Sequence, residues 1–505
     1  MNALTKYKGS MKLAAIGDAL GWVTEFEKTP EDLEKKYGVS FITKYFDWKK
    51  TVGGGFYSYE DDIKSGSYSD DTQLLLSVAR SIKEDGTVNQ VYFSKIELPS
   101  WLLYARGAGR TIKNAARKIE RKSATWNNNF FTFKAGKATI DYRESGANGA
   151  AMRILPIALA NFGDIGKIKK EIFSNSIITH GHPRAIVGAM LYGIAIDITL
   201  QLSPKSFDYK TFLTMLGKDI HTKLSIPFID IPELKSWELE WNKNDTGMVF
   251  KELYDDVVLE VQQYLRDTYK YIKEGISDYE ALSKLGCYKY ETKGSGISTV
   301  IAGIFFACKY SNEPLKSIEN AVNSTGTDTD SIAAFSGGLV GALNGQKIIP
   351  ERWKTVQDIN YIDKISERLL EISEGRAEFN DVPIEENNIS INNINSGNYE
   401  EGNKIHFNPL GNGCITRISR QDAITKGKFN IILSVDFESG QSCVFSKLLS
   451  VDNESINDAP LNDWLINSQL KFNIEEYKNL EILNKNKDYE KIIELLIIKI
   501  PDRSE

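Results

Sequence analysis

Cysteine is scarce and scattered. Cys287, Cys308, Cys414 and Cys443 are the only four in 505 residues, and no two form a Cys-x-x-Cys pair. That excludes a disulfide-built scaffold and a cysteine-ligated zinc site, and it reads as reduced, structural thiols. An excess of one charge is lacking too: 62 basic against 68 acidic side chains leave a net charge of −6. Such a balance gives the molecule as a whole no electrostatic reason to bind nucleic acid, although a local basic patch is compatible with it. Long uninterrupted apolar runs are absent as well. The most apolar stretch, residues 185–202, contains Asp197 and is followed by polar sequence, so it is expected as a buried helix with no membrane involvement. The first twenty residues carry lysines but their apolar stretch is short and broken by Asp18, and neither a signal peptide nor an anchor is expected. A cytoplasmic protein is the default. There is no internal repeat.

What is present is core material. Hydrophobic residues make up 41% and aromatics 11%, which excludes a wholly disordered chain. The length suggests two to four domains, because single cores rarely grow beyond about 250–300 residues. Up to residue 375 the chain reads as mainly α: apolar residues recur at helical spacing in 74–82, 154–160, 186–198, 300–308 and 332–343. Residues 205–244 are rich in Lys, Trp and Pro with weak periodicity, and 254–271 form a charged amphipathic helix, so 205–293 is an enlarged segment within the 1–375 unit. Residues 376–402 are polar and Asn-rich, as suits a linker. Within 403–505, short strands are expected at 404–407, 414–418, 429–437 and 442–445, separated by Gly-containing turns, and then an apolar helical tail at 489–500. The expected architecture is an all-α bundle with a small C-terminal β-barrel and a helical tail.

Three acidic clusters sit among small residues. The first is Gly17, Asp18 and Gly21, followed by Glu25. The second is Ser69, Asp70, Asp71, Thr72 and Gln73, opening the helix at 74–82. The third runs from Gly326 through Asp328 and Asp330 to Ser331, opening the helix at 332–343. Each of the last two, taken alone, is explained by helix capping, in which Ser or Thr and a first-turn Asp satisfy free N–H groups. Together they exceed what capping needs. Two adjacent carboxylates and an Asp-x-Asp pair, each with hydroxyls, are hard oxygen donors suited to Mg2+ or Mn2+, and two facing helix starts could share a binuclear site.

Other loops offer anion contacts. Gly107 and Gly109 lie in a Gly-x-Gly turn running into a helix, where backbone N–H groups can approach a phosphate; a tight interhelical turn has the same pattern. Asn148 and Gly149 precede an apolar helix, as a loop with an N-cap would. His180 and His182 are two of only four histidines, and His180 is balanced between ligand contact and a structural hydrogen bond.

The motifs GDALG with Glu25, SDDTQ, ANGAAMR, THGHP and GTDTDSIAAFSGGLVGALNG occur in this order. The chain thereby resembles the ADP-ribosylglycohydrolase family, which includes dinitrogenase reductase-activating glycohydrolases and eukaryotic ADP-ribosylhydrolases. The match spans roughly residues 8–373, interrupted by the 205–293 segment. The resemblance implies an ADP-ribosylglycohydrolase-like all-α bundle holding two Mg2+ (or Mn2+) ions. It implies that Ser69, Asp70 and Asp71 ligate one metal, that Asp328 lies between the two, and that Asp330 and Ser331 complete the second. Glu25 would be the acid/base residue, and the catalytic set would be Glu25, Asp70, Asp71 and Asp328. Gly107, Gly109, Asn148, Gly149 and His180 would hold ADP-ribose. Ser69 stands where many relatives have Thr and keeps the hydroxyl; the enlarged middle segment bears on substrate preference.

The implied function is metal-dependent hydrolysis of the glycosidic bond joining ADP-ribose to a protein side chain or nucleic acid. Alternatives are hydrolysis of a free ADP-ribose- or NAD-derived small molecule, and a non-catalytic ADP-ribose sensor. Residues 405–437 are similar to the small Tudor-like barrel at the C-terminus of some DNA helicases, which implies an adaptor for protein or nucleic acid.

Overall fold

The computed structural model describes residues 2–52, 59–227, 231–244, 246–378, 399–425 and 427–450, together with residues 479, 480, 483 and 491. At its centre two helices, Ala3–Thr24 and Thr329–Asn344, run antiparallel in backbone contact. Small residues on both make this possible. A Cβ added at Gly17 would lie 2.2 Å from the Ala333 carbonyl oxygen, and one at Gly337 would lie 2.0 Å from that of Leu13. Nearly every residue of both helices is buried, so neither has a solvent face, as expected of central helices. Ser10 Oγ donates to the Gly338 carbonyl at 2.8 Å, satisfying one of the few polar groups between them. The antiparallel arrangement sets the carboxyl end of the first helix beside the amino end of the second. There Thr329 Oγ1 donates to the Gly21 carbonyl at 2.9 Å.

Helices Pro183–Gln201, Gly296–Lys309, Pro314–Val322 and Ile359–Ser373 pack around this pair. Pro183–Gln201 is long and apolar enough to cross a membrane by length and composition, and here it is packed inside the protein as a core helix. Among the described residues each helix expected from periodicity is found: 74–82 falls within Asp70–Ser81 and its C-cap, 154–160 is Leu155–Ala160, and 332–343 lies inside Thr329–Asn344. The weakly periodic 205–244 region is also helical. Its Trp237 and Trp241 are buried against Phe250 of helix Phe250–Glu274, with ring centroids 4.8 and 5.3 Å apart, and Trp241 Nε1 donates to the Gly181 carbonyl at 2.9 Å. A few large anchors do the burying there, which blurs the helical period. All four cysteines are free, three buried and Cys414 half-buried.

The mainly α region also contains two hairpins that periodicity did not reveal: β1 (Trp48–Val52) with β2 (Tyr59–Ile63), and β3 (Thr132–Ala135) with β4 (Ala138–Asp141). Their strands are only four or five residues long, and β1 and β2 are rich in Lys, Asp and Glu, so alternation was invisible.

After residue 399 come β5 (Lys404–Phe407), β6 (Gly411–Asp422), β7 (Lys428–Phe437) and β8 (Ser442–Ser450), an antiparallel sheet in chain order. The expected barrel is thus a four-stranded sheet; closure needs β5 paired with β8, and no such ladder exists among the described residues. The sheet packs on the helical region. Tyr104 meets Phe407 and Phe445 edge-on at 6.4 and 5.9 Å, and Arg80 donates to Gln441 at 2.5 Å. The polar linker core at 385–397 and the helical tail expected at 489–500 lie outside the described residues, apart from residue 491.

Candidate metal centre and cleft

Two helix starts and one helix end converge here. Ser69 caps helix Asp70–Ser81, its Oγ accepting from Asp71 N at 3.2 Å. Asp18, fully buried on the Ala3–Thr24 helix, accepts from the N–H groups of Ser69 and Thr72, each at 3.0 Å, and from Thr72 Oγ1 at 2.5 Å. These bonds fix the turn that carries Asp70 and Asp71. Asp18 was visible in sequence as part of an acidic cluster, but its role as the anchor of a second cluster is a tertiary fact.

Across from this turn, carboxylate oxygens of Glu25, Asp328 and Asp330 all lie within 4.8 Å of one another. Asp328 Oδ2 accepts from Asn148 Nδ2 at 3.0 Å. Ser331 Oγ donates to Asp71 Oδ2 at 2.7 Å, joining the two helix starts directly. The set Ser69, Asp70, Asp71, Glu25, Asp328, Asp330 and Ser331 is therefore gathered at one place. Asn148 holds Asp328 in this structure. Gly107 borders the cluster: with φ +97 it adopts a conformation that favours glycine, and a Cβ there would lie 2.7 Å from Asp70 Oδ1. Gly109 opens helix Arg110–Ile119 with nothing facing its Cα.

His180 lies deeper. It is 1% exposed, its Nδ1 is 2.7 Å from Thr179 Oγ1, and a Cβ on Gly149 would come within 2.8 Å of its Cε1. Burial, with the Arg153 charge added, holds its pKa well below the usual range and keeps it neutral. Arg153 itself is buried and donates to the Gly149 carbonyl at 2.6 Å. His180 and Arg153 thus support the Asn148–Gly149 loop from beneath.

The carboxylates repel. Burial first, then Lys50, Asp328, Asp70 and Asp18 set the Glu25 carboxyl at about 8, with Lys50 alone opposing the rise. Asp70 is pushed up to about 7 by burial, against the pull of Lys50. Asp71 and Asp330 are raised well above the carboxylate range by burial and by their acidic neighbours. Lys50 of β1 and Lys113 are the cations that act on Asp70. Neither belongs to a motif, and sequence reading missed both. So many buried carboxylates with so few counter-charges form a donor set that a divalent cation would neutralise, and hard oxygen donors fit Mg2+ or Mn2+.

A cavity of about 300 Å³ continues from Gly107, lined by Trp22, Lys50 and Lys113 and walled on one side by Val444 and Ser446 of β8. The buried indole N–H of Trp22 has no acceptor among the described residues. It is a donor free for a ligand atom, and an unsatisfied buried donor of this kind is costly to leave so.

The sequence profile of the ADP-ribosylglycohydrolase family matches residues 1–378. The chain is 30% identical over 181 residues to ADP-ribosyl-[dinitrogen reductase] glycohydrolase of Rhodospirillum rubrum, covering 35% of this chain and 52% of that protein, about half its length. It is 24% identical over 382 residues to ADP-ribosylhydrolase ARH3 of Danio rerio, covering 73% of this chain and 91% of that one. A solved structure described as an ADP-ribosylglycohydrolase-related protein complex aligns over 74% of this chain and 99% of its own, with a TM-score of 0.46 and 15% identity. Since the matched region spans every acidic cluster described above, the family is identified by sequence and the chain belongs to the ADP-ribosylglycohydrolases.

Proposed function

We propose that the protein is a metal-dependent hydrolase that releases ADP-ribose from a modified acceptor, reversing ADP-ribosylation. The observation that carries this reading is the meeting of Glu25, Asp328 and Asp330 within 4.8 Å, joined to Asp71 through Ser331. The relatives' names, an ADP-ribosyl-[dinitrogen reductase] glycohydrolase and an ADP-ribosylhydrolase, support the bond type. Two Mg2+ or Mn2+ ions would be held by Ser69, Asp70 and Asp71 on one side and by Asp330 and Ser331 on the other, with Asp328 between them. Bound divalent ions supply charge stabilisation and a lowered pKa for a coordinated water.

The chain's own groups do the rest. Heterolysis of the ribosyl bond builds positive charge on the sugar, and a cleft lined with carboxylates favours it. Glu25, at the end of the first helix and half-buried, can hold a proton for the leaving group or take one from the attacking water. Backbone N–H groups at Gly107 and Gly109, the free end of helix Arg110–Ile119 and the Asn148–Gly149 loop would grip the diphosphate and orient the ribose. Asp328→Ala is the test: we expect titrated metal binding to be lost and ADP-ribose release to fall at least ~1000-fold, on the scale of losing an essential charge-stabilising group. Retained activity would remove Asp328 from the centre.

A further inference from the structure

Helix Arg110–Ile119 and the turn after it carry Arg110, Lys113, Arg117, Lys118, Arg121 and Lys122. None of the six makes an ion pair among the described residues. In a chain with an excess of acids this is a local reversal of charge. Lys113 and Arg117 are four residues apart, about 6 Å along one helix face. Lys113 lines the cleft cavity with Lys50 and Gly107, so the stripe begins beside the candidate centre. Farther out, Asn114, Arg117, Lys118 and Arg121 border a depression of about 610 Å³ whose other side is formed by Phe130 and Phe131. Asp141 lies there too, but it is neutralised by Arg143 at 3.1 Å, and the Arg143 guanidinium sits 4.8 Å from the Phe130 ring.

We propose that this stripe is a track for the phosphodiester backbone of a nucleic-acid strand, which leads an ADP-ribosylated nucleotide past Lys113 into the cleft beside Asp70. The proposal rests on the hydrolase reading and names its acceptor class. Unpaired cations in series neutralise successive phosphates. Two of the outer four cations, Arg117 and Arg121, are arginines, whose planar guanidinium suits phosphate contacts. An acidic polypeptide would satisfy the same charge, and its binding is the competing outcome of the test.

The test uses the full chain and a fluorescein-labelled single-stranded 20-nucleotide DNA without ADP-ribose, followed by anisotropy across a salt series. Wild type should bind, and the triple variant Arg117→Gln, Lys118→Gln, Arg121→Gln should bind at least 10-fold more weakly at the same salt. Its log–log salt slope should be shallower by about 2, the expectation for three lost single-strand phosphate contacts. The thermal midpoint and ADP-ribose release from a small ADP-ribosylated peptide should be unchanged, because none of the three lines the cleft cavity beside the candidate centre. Absence of strand binding, equal binding by the variant, or equally tight variant-sensitive binding of poly-glutamate would overturn the proposal. If no substrate releases ADP-ribose while strand binding keeps its dependence on these residues, the hydrolase reading fails and the track stands.

Discussion

At the scale of single residues, the centre is held by side chains that do not themselves sit in it. Asp18 anchors the turn of Ser69 and Thr72, Asn148 fixes Asp328, and His180 and Arg153 carry the Asn148–Gly149 loop. His182 is a related support. Its Nδ1 accepts from Arg184 N at 3.1 Å, capping helix Pro183–Gln201, and burial, with the Arg184 charge added, lowers its pKa to about 4. The sign follows from linkage. The folded pKa is below the unfolded value, so the cap is at full strength above about pH 6.5 and is lost as pH falls toward 4, at up to about 1.4 kcal/mol per pH unit. His182→Asn keeps a capping oxygen that does not titrate. Urea denaturation at pH 7 and pH 4.5 should find wild type losing about 2–3 kcal/mol relative to this variant at the lower pH; parallel pH profiles would deny His182 the role.

At the scale of elements, the antiparallel pair Ala3–Thr24 and Thr329–Asn344 decides the site. Glu25 ends one helix and Asp328 precedes the other, so their separation is a consequence of how closely the backbones approach at Gly17, Gly337 and Gly341. Gly17→Ala places a methyl 2.2 Å from the Ala333 carbonyl, with backbone rather than flexible side chain as the obstacle. Forcing these helices apart should lower stability by about 1–3 kcal/mol, measured by chemical denaturation, and reduce ADP-ribose release per folded molecule as well. A variant as stable and active as wild type would mean the helix contact is not what sets the carboxylate spacing.

The same pair shows what could be read from sequence. Runs of Gly, Ala and Ser with no polar face announce a buried helix, and carboxylates directly before such runs announce a helix start carrying charge. Ser69, Asp70, Asp71, Asp328, Asp330 and Ser331 were legible for that reason; Glu25, at a helix end, drew its role only from the family resemblance, and the structure gathers all seven. Lys50 and Lys113 were not, because one lies on a short charged strand and the other on a helix whose lysines look like ordinary solvated residues. Asp18 was legible as an acid but not as an anchor, since its partners lie more than fifty residues away. The hairpins β1–β2 and β3–β4 escaped because strands this short and polar leave no period.

At the scale of the whole molecule, the C-terminal sheet is a structural neighbour of the centre. Ser442, the first residue of β8, donates Oγ to Asp358 Oδ1 at 2.7 Å, and Tyr68 donates to Asp358 Oδ2 at 2.6 Å, one residue before Ser69. Val444 and Ser446 of the same strand wall the cleft cavity. Asp358→Ala removes a half-buried acceptor shared by both regions. It should cost about 3 kcal/mol of stability by thermal or urea melting, because the Tyr68 hydroxyl and both the N–H and Oγ of Ser442 lose a charged partner, and it should slow turnover of a small ADP-ribosylated peptide. Unchanged melting and turnover would make the sheet a passenger. The basic stripe on Arg110–Ile119 is a further property of this scale, hidden by a net charge of −6 that averages over 505 residues.

The account stands or falls on whether the gathered carboxylates run metal-dependent chemistry on ADP-ribose. The direct measurement is release of free ADP-ribose from a panel of ADP-ribosylated arginine, serine and oligonucleotide substrates, in Mg2+, in EDTA, and after Mg2+ is restored. The account predicts release from at least one member in Mg2+, its loss in EDTA and its recovery on restoring the metal. Release from none of them, or release indifferent to EDTA, would contradict it.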